Sequence, residues 1–339
     1  MKRKLYPLTF VPIRQDRVWG SETWMISSMG EGQESVVENG FLAENALDDL
    51  LETYLGNLVG DNVFDAYQLQ FPLLVKLLDV QKLLSVQAHP DDAVAGERYD
   101  QFGKDECWYI MEAGPDARVY MGFKRDTSAA EFYEKCKNGT AAELLNVYTP
   151  KAGEFFHIPA GTVHACGGGL KIAEVQESSD MTFRLYDWGR ENNPATARKM
   201  HLEEAIDCIN FQRYDDSALH IADSGNVDVL AENPHFTLRR ISLKEPATLD
   251  MDRFNSCIIY ICLEGSATFR SDGAPDEATI SRGGSVLIPW GVGEATIVPG
   301  KEGVTLLQAT IPPVPEEPDE YIDPSVAATL PDEDEEEEQ

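Results

Sequence analysis

Residues 153–164 read GEFFHIPAGTVH, and the spacing has a mechanical meaning. Residues 154–158 form a short apolar and aromatic run suited to a β-strand. Pro159 and Gly161 stop it, because proline presets one backbone angle and glycine accepts the left-handed region, and together they make a tight turn. His164 then opens the next strand, pinned at the turn exit. A histidine fixed on a β scaffold before any ion arrives is what a metal site requires. The same grammar recurs later: Gly283 is followed by Pro289 and Gly291, and Glu294 stands where His164 stands in the first copy. Two copies of one strand–turn–strand unit argue for an internal duplication within a mainly β chain.

Upstream of the first copy lies LLSVQAHPDD, residues 83–92. Gln87 and His89 are two apart, so on a strand both side chains point to one face. Between the segments lies GKDECW, residues 103–108, which adds Glu106. Gln87, His89, Glu106 and His164 offer one amide oxygen, one carboxylate and two imidazoles, a set suited to Zn²⁺ or another first-row divalent ion. The 153–164 segment resembles the second sequence motif of the cupin β-barrels. That resemblance implies two jelly-roll barrels, the second without a metal site because no histidine pair accompanies its motif.

Composition narrows the function. The chain has 339 residues, enough for two domains, with 28 Lys plus Arg against 59 Asp plus Glu and a net charge of −31. No basic stripe is available to neutralise phosphates, which argues against nucleic acid. No apolar run approaches bilayer length, which argues against a membrane role. The N-terminal MKRKLYPLTFVPI is basic and then apolar, but Pro7 and Pro12 interrupt it and no small-residue cleavage site comes after it, so it does not read as a signal peptide. Six scattered cysteines without a C-x-x-C pair read as reduced thiols, and the expected compartment is the cytoplasm.

Other segments carry further expectations. The pair Trp19-Gly20 is either a plug over a barrel mouth or a core tryptophan beside a turn. Residues 46–58 show a helical apolar period with Asn45 as N-cap. Residues 71–80 and 83–89 read as strands. Lys76 lies inside the first of these apolar runs, so it is paired, faces a wet cavity or points outward. Residues 108–123 read as two strands joined by the turn at Gly114-Pro115-Asp116. Ser128 with Glu131 and Thr140 with Glu143 are capping boxes that open two short helices, an insertion at about 128–148 expected to wall the pocket. Gly167-Gly168-Gly169 lacks the lysine and hydroxyl of a phosphate loop. Residues 194–209 end in a helix, and His201 within them reads as surface or core and not as a ligand. The last segment, 314–339, has no Lys or Arg and twelve acidic residues, and is expected to be disordered and solvated. The expected domains are 1–230, catalytic, and 231–313, a metal-free second barrel, followed by the tail.

Together, residues 72–92, GKDECWYI and FFHIPAGTVHACGGGLKIAEVQESSDMTFRLYDWGR resemble the type I mannose-6-phosphate isomerases in their short bacterial form. The resemblance implies an aldose–ketose isomerase that interconverts mannose 6-phosphate and fructose 6-phosphate through an enediol, acting as a monomer or weak homodimer with one Zn²⁺ per chain. It makes Gln87, His89, Glu106 and His164 the zinc ligands, with Arg184, Lys104 and Glu174 catalytic. It places Lys76, Ser85 and Arg190 at the substrate phosphate. Two positions depart from fungal-type members: Arg190 replaces a lysine and Cys166 a tyrosine. Lys104 and Glu174 both remain open as the general base. The metal set alone also suits an iron-dependent cupin oxygenase, and a non-catalytic sugar-binding cupin or an isomerase of other specificity completes the alternatives.

Overall fold

Side-chain alternation along the strands sorts the first half of the chain into layers. The computed structural model describes residues 3–30, 32–215, 219–221 and 226–313; the acidic segment 314–339 lies outside them. A seven-stranded antiparallel sheet runs in the order Leu219–Ile221, Glu154–Ile158, Glu106–Ala113, Leu170–Glu177, Leu73–Val80, Gly20–Ile26, Ile13–Arg17. A five-stranded sheet runs Phe183–Tyr186, Val86–Ala88, His164–Gly167, Arg118–Phe123, Leu145–Tyr148. Residues 153–164 belong to both: the strand Glu154–Ile158 lies in the first sheet and His164 opens a strand of the second. The Pro159–Gly161 turn is therefore the crossing point between sheets. Gly161 has φ +81°, and a Cβ there would sit 2.6 Å from the Cys208 carbonyl oxygen, so only glycine fits. The turn at Gly114 is a second crossing. The strands it joins do not pair with each other.

The inner faces of the two sheets share one core, with Leu78, Trp108, Ile110 and Phe156 meeting Val119 and Met121. The outer face of the large sheet, Val75, Cys107, Tyr109 and Val175 among others, packs into a second core with the N-terminal segment and the second barrel. The outer face of the small sheet, including Val86, Ala165 and Leu185, is covered by the helix Ala129–Lys137 through Phe132 and Cys136. The insertion thus lies opposite to where it was expected: it closes the back of the small sheet, and none of its residues lines the cavity at the metal-ligand candidates. Its first helix has the expected cap, with Ser128 Oγ accepting from the Glu131 amide at 3.1 Å. The second is only a 3₁₀ turn, Ala141–Leu144, without a side-chain cap, because the chain enters a strand at Leu145. Truncating Phe132 to alanine is expected to cost about 3–5 kcal/mol of stability while leaving KM unchanged, as read by denaturant titration and steady-state kinetics.

The helix expected at 46–58 is Leu47–Tyr54. Asn45 does not cap it; its amide donates to the Leu42 carbonyl at 2.8 Å, and Asp49 accepts from the Ala46 amide instead. Leu55, at φ +50°, breaks the run and starts a separate short helix, Gly56–Val59. All six cysteines are unpaired. No helix among the described residues is long and apolar enough to cross a membrane.

The second half repeats the scheme with one sheet wrapped on the long strands Ile258–Ser271 and Glu294–Thr310. The repeated motif is again strand, turn, strand: Ser285–Ile288, then Pro289 and a single turn Trp290–Val292, then the strand from Glu294. The boundary expected at 231 falls within a strand, Val227–Glu232, that already pairs in this sheet. Leu8 exchanges backbone hydrogen bonds with Leu287, so the N-terminal segment is stitched to the second barrel.

A polar tie also joins the barrels. His235 Nδ1 lies 3.0 Å from Glu177 Oε1 and 3.8 Å from Asp92. The hydrogen bond to Glu177 raises the His235 pKa against partial burial, helped by Asp92 and Asp105. A raised imidazole stabilises the fold fully below its unfolded value, about 6.5. That contribution disappears as pH rises through the folded value. Burial raises the Glu177 carboxyl, which works in the same direction. Stability is expected to fall by on the order of 1 kcal/mol from pH 6 to 8, and less in His235→Ala, as read by denaturant titration.

Candidate active site and metal centre

Register places the site. In the large sheet Lys76 pairs with Glu174, Glu174 with Trp108, and Gln176 with Glu106, so these side chains form two adjacent rows on the inner face. In the small sheet Gln87 lies between His164 and Arg184. A one-residue slip of any of these strands would turn its residue to the outer face. The rows enclose a cavity of about 440 Å³, whose lining includes Lys76, Gln87, Lys104, Glu106, Glu174 and Arg184.

His89, Glu106 and His164 are buried, with ligand atoms that lie within 4.8 Å of one another. His89 Nδ1 donates to the Met181 carbonyl and His164 Nδ1 to the Thr162 carbonyl, both at 2.9 Å. These bonds fix the tautomers and turn both Nε2 lone pairs inward. Glu106 Oε1 lies 2.9 Å from His164 Nε2, and Oε2 lies 3.5 Å from His89 Nε2. With the ring protons on Nδ1, acceptor faces acceptor. His89 Nε2 and Glu106 Oε1 are in fact buried without a hydrogen-bond partner. Such orphaned acceptors are costly unless a cation sits among them, so the donor set fits a divalent metal ion. Burial, with Lys104 nearby, pushes the His89 imidazole down to about 3, which keeps it in the neutral, ligating form. The Gln87 amide lies 3.1 Å from His164 Nε2, and a half-turn about its last bond would present oxygen to the same point. Trp108 packs edge-on to His164, with ring centroids 5.4 Å apart. A second trio, Asp92, Glu177 and His235, also clusters within 4.8 Å, but it is the tie between the barrels.

Lys76 is buried and paired: its Nζ reaches Glu174 at 3.1 Å and Gln176 at 2.6 Å and lies over Trp24. The outward-facing reading is thus overturned; burial opposes the charge, but Glu174 together with Glu22, Asp180 and Glu106 outweighs it and raises the Lys76 pKa. Glu174 also accepts from Trp108 Nε1 at 2.7 Å, and burial raises its carboxyl. Lys104 is equally buried, yet its Nζ has only a long contact, 3.4 Å, to Thr182 Oγ1; burial and then Lys76 lower its pKa. Arg184 donates to the Lys199 carbonyl, and its buried Nε has no partner. Ser85 is buried beside Gln87, hydrogen-bonded to it at 3.3 Å, and does not line the cavity. Arg190 does not line it either: its guanidinium lies on Asp187. His201 is not at the metal centre; its Nδ1 accepts from the Arg184 amide.

Sequence reasoning missed several parts of the wall, among them Arg198, Asp180, Thr182 and the hairpin residues Asp16 to Val18 that lead into Trp19. Trp19 is buried in the barrel core, as one reading of the Trp-Gly pair had it, and it also lines the cavity. The hairpin is fixed: the Trp19 carbonyl accepts from the amides of Gln81 and Lys82, and Arg17 is ion-paired to Glu22.

The comparisons with known proteins agree with this geometry. Residues 6–133 match the sequence model for phosphomannose isomerase type I, catalytic domain. The chain is 31% identical over 313 residues to mannose-6-phosphate isomerase ManA of Bacillus subtilis, covering 85% of this chain and 94% of that protein. It is 39% identical over 190 residues to the mannose-6-phosphate isomerase of Streptococcus mutans, covering 56% and 58%. The crystal structure of mannose 6-phosphate isomerase from Bacillus subtilis superposes with a TM-score of 0.77 at 25% identity, over 91% of this chain and all of that one. A two-barrel cupin fold, a histidine–carboxylate centre in the first barrel and near-full-length similarity lead to one conclusion: the chain belongs to the type I phosphomannose isomerase family.

Proposed function

We propose that this chain interconverts mannose 6-phosphate and fructose 6-phosphate through an enediol, using Zn²⁺ held by His89, Glu106 and His164 with Gln87 as fourth ligand. The observation that carries the reading is a cavity lined by Glu106, which has an orphaned acceptor oxygen, by a weakly bonded, buried Lys104 and by Arg184, whose Nε has no partner. A bound divalent ion supplies Lewis-acid stabilisation of negative charge on a substrate oxygen.

The reaction moves a proton between C1 and C2 and builds negative charge on oxygen next to the carbonyl carbon. Lys104 suits the proton transfer. Its lowered pKa brings it toward the range in which a base works, and its Nζ is nearly unengaged, whereas both Glu174 oxygens are occupied by Lys76 and Trp108. Glu174 then holds Lys76 in place, and the pair keeps that side of the cavity polar. Arg184 offers Nε–H to the developing oxyanion, an interaction that gains strength in a half-buried site. Ser85 orients Gln87 from behind. The strong overall negative charge repels a sugar phosphate at long range, so cations at the cavity must reverse the field there.

We take the division into a catalytic barrel and a second barrel, the cytoplasmic location and a monomer or weak homodimer as parts of the same reading. The acidic composition and unpaired cysteines support the location. The test is to incubate the protein with mannose 6-phosphate in D₂O and follow the sugar by NMR. Fructose 6-phosphate carrying solvent deuterium at the carbon that receives the proton supports the enediol. Binding without any interconversion would instead identify a sugar-binding cupin.

A further inference from the structure

Three guanidiniums gather around one carboxylate beside the cavity. Arg198 reaches Asp187 through Nη2 at 2.6 Å and Nε at 3.1 Å. Arg190 reaches the same carboxylate at 2.5 and 3.2 Å. Arg184 is the third, bonded only to the Lys199 carbonyl. Asp187 is fully buried and is the one carboxylate among the described residues that hydrogen-bonds any of the three. The cluster therefore holds excess positive charge within a chain of net charge −31. Like charges packed in a half-buried site repel one another. Burial, and after it the Arg198 charge, push the Arg184 guanidinium down to about 10. An arrangement of this kind is relieved when an anion arrives.

Of the other cations that line the cavity, Lys104 is the proposed base and two are neutralised. Lys76 is neutralised by Glu174 and Arg17 by Glu22. Arg190 does not line the cavity, whereas Arg198 does. The bidentate hold of Asp187 fixes the Arg198 guanidinium plane and leaves its Nη1 without a hydrogen bond. A planar, pre-oriented guanidinium is the side chain best matched to phosphate oxygens. The sequence of neighbours also runs the right way. Gln87 at the metal centre pairs in register with Arg184, and Arg184 adjoins Arg198. A hexose 6-phosphate is built in the same order, with the reacting carbons at one end and the phosphate at the other.

We propose that Arg198, its guanidinium held by Asp187, binds the phosphate of the substrate, with Arg184 between it and the reacting carbons. This rests on the sugar-phosphate reading above and assigns the phosphate to a residue other than Arg190. The test uses the full chain with its metal and the variants Arg198→Ala, Arg198→Lys and Arg190→Ala. Inorganic phosphate binding is measured by calorimetry, and KM and kcat are measured on mannose 6-phosphate. In Arg198→Ala, the phosphate Kd and the sugar-phosphate KM are expected to rise at least about tenfold, with kcat changed less than about threefold. Lysine recovers only part of this, because it cannot present the planar fork. Arg190→Ala is expected to lose less phosphate affinity than Arg198→Ala. If the alanine variant does not fold, Arg198→Lys is judged by the same split. Unchanged phosphate affinity in a folded Arg198 variant overturns the proposal. So does a larger loss in Arg190→Ala, or a kcat loss at constant KM. A wild-type chain that binds phosphate through Arg198 yet does not isomerise mannose 6-phosphate would sink the proposed reaction and leave the anion site standing.

Discussion

His89→Ala is expected to yield a folded protein that binds no metal and isomerises mannose 6-phosphate at least on the order of a thousandfold more slowly than wild type. The size reflects the loss of the ion. A divalent ion contributes several kcal/mol of charge stabilisation, and each 1.36 kcal/mol is a factor of ten. Folding should survive because His89 is an orphan acceptor: Nε2 has no protein partner, and the ring contributes one hydrogen bond to the Met181 carbonyl. In the metal-free protein, truncation even relieves the crowding of acceptors around Glu106. Elemental analysis and kcat on the same preparation check the prediction. Full metal occupancy in the variant would remove His89 from the ligand set.

Arg184→Ala is expected to lower kcat by about 10²–10³-fold, the effect of deleting one pre-positioned donor to a developing oxyanion. KM should change less, since a donor to an oxyanion acts on charge that exists mainly in the transition state. The contrast with Arg198 is the informative part. The two arginines adjoin, yet one is expected to act on kcat and the other on KM. Steady-state kinetics of both variants, measured together, decide it. A pure KM effect for Arg184→Ala would assign that residue to the phosphate as well.

Legibility in the sequence varies with the physics of each segment. The metal residues were readable because strands have a period of two and a Pro-x-Gly turn fixes where the next strand begins. Gln87 and His89 could thus be placed on one face, and His164 at a turn exit, before any coordinates. Glu106 joined them by its chemistry, and Glu174 and Lys76 only through the family resemblance; the register pairs Lys76 with Glu174 and Glu106 with Gln176. The loops were less legible. Trp188 and Gly189 both take left-handed backbone angles, φ +58° and +83°. Glycine announces such a turn, but tryptophan does not. That reversal sends Arg190 onto Asp187 and returns the chain so that Arg198 reaches the cavity, which no periodic pattern encodes. The insertion failed in a similar way. Its capping box at Ser128 was real, but a cap fixes where a helix starts and not which face of a sheet it covers. At Thr140 the same box was present and unused, because only one turn separates it from the next strand.

The most direct measurement is isomerase activity on mannose 6-phosphate with metal counted per chain, before chelation, after it, and after Zn²⁺ is added back. The account predicts one tightly held metal per chain, loss of activity on its removal, recovery with zinc, and no recovery in His89→Ala. Full activity in protein shown to be metal-free would contradict it.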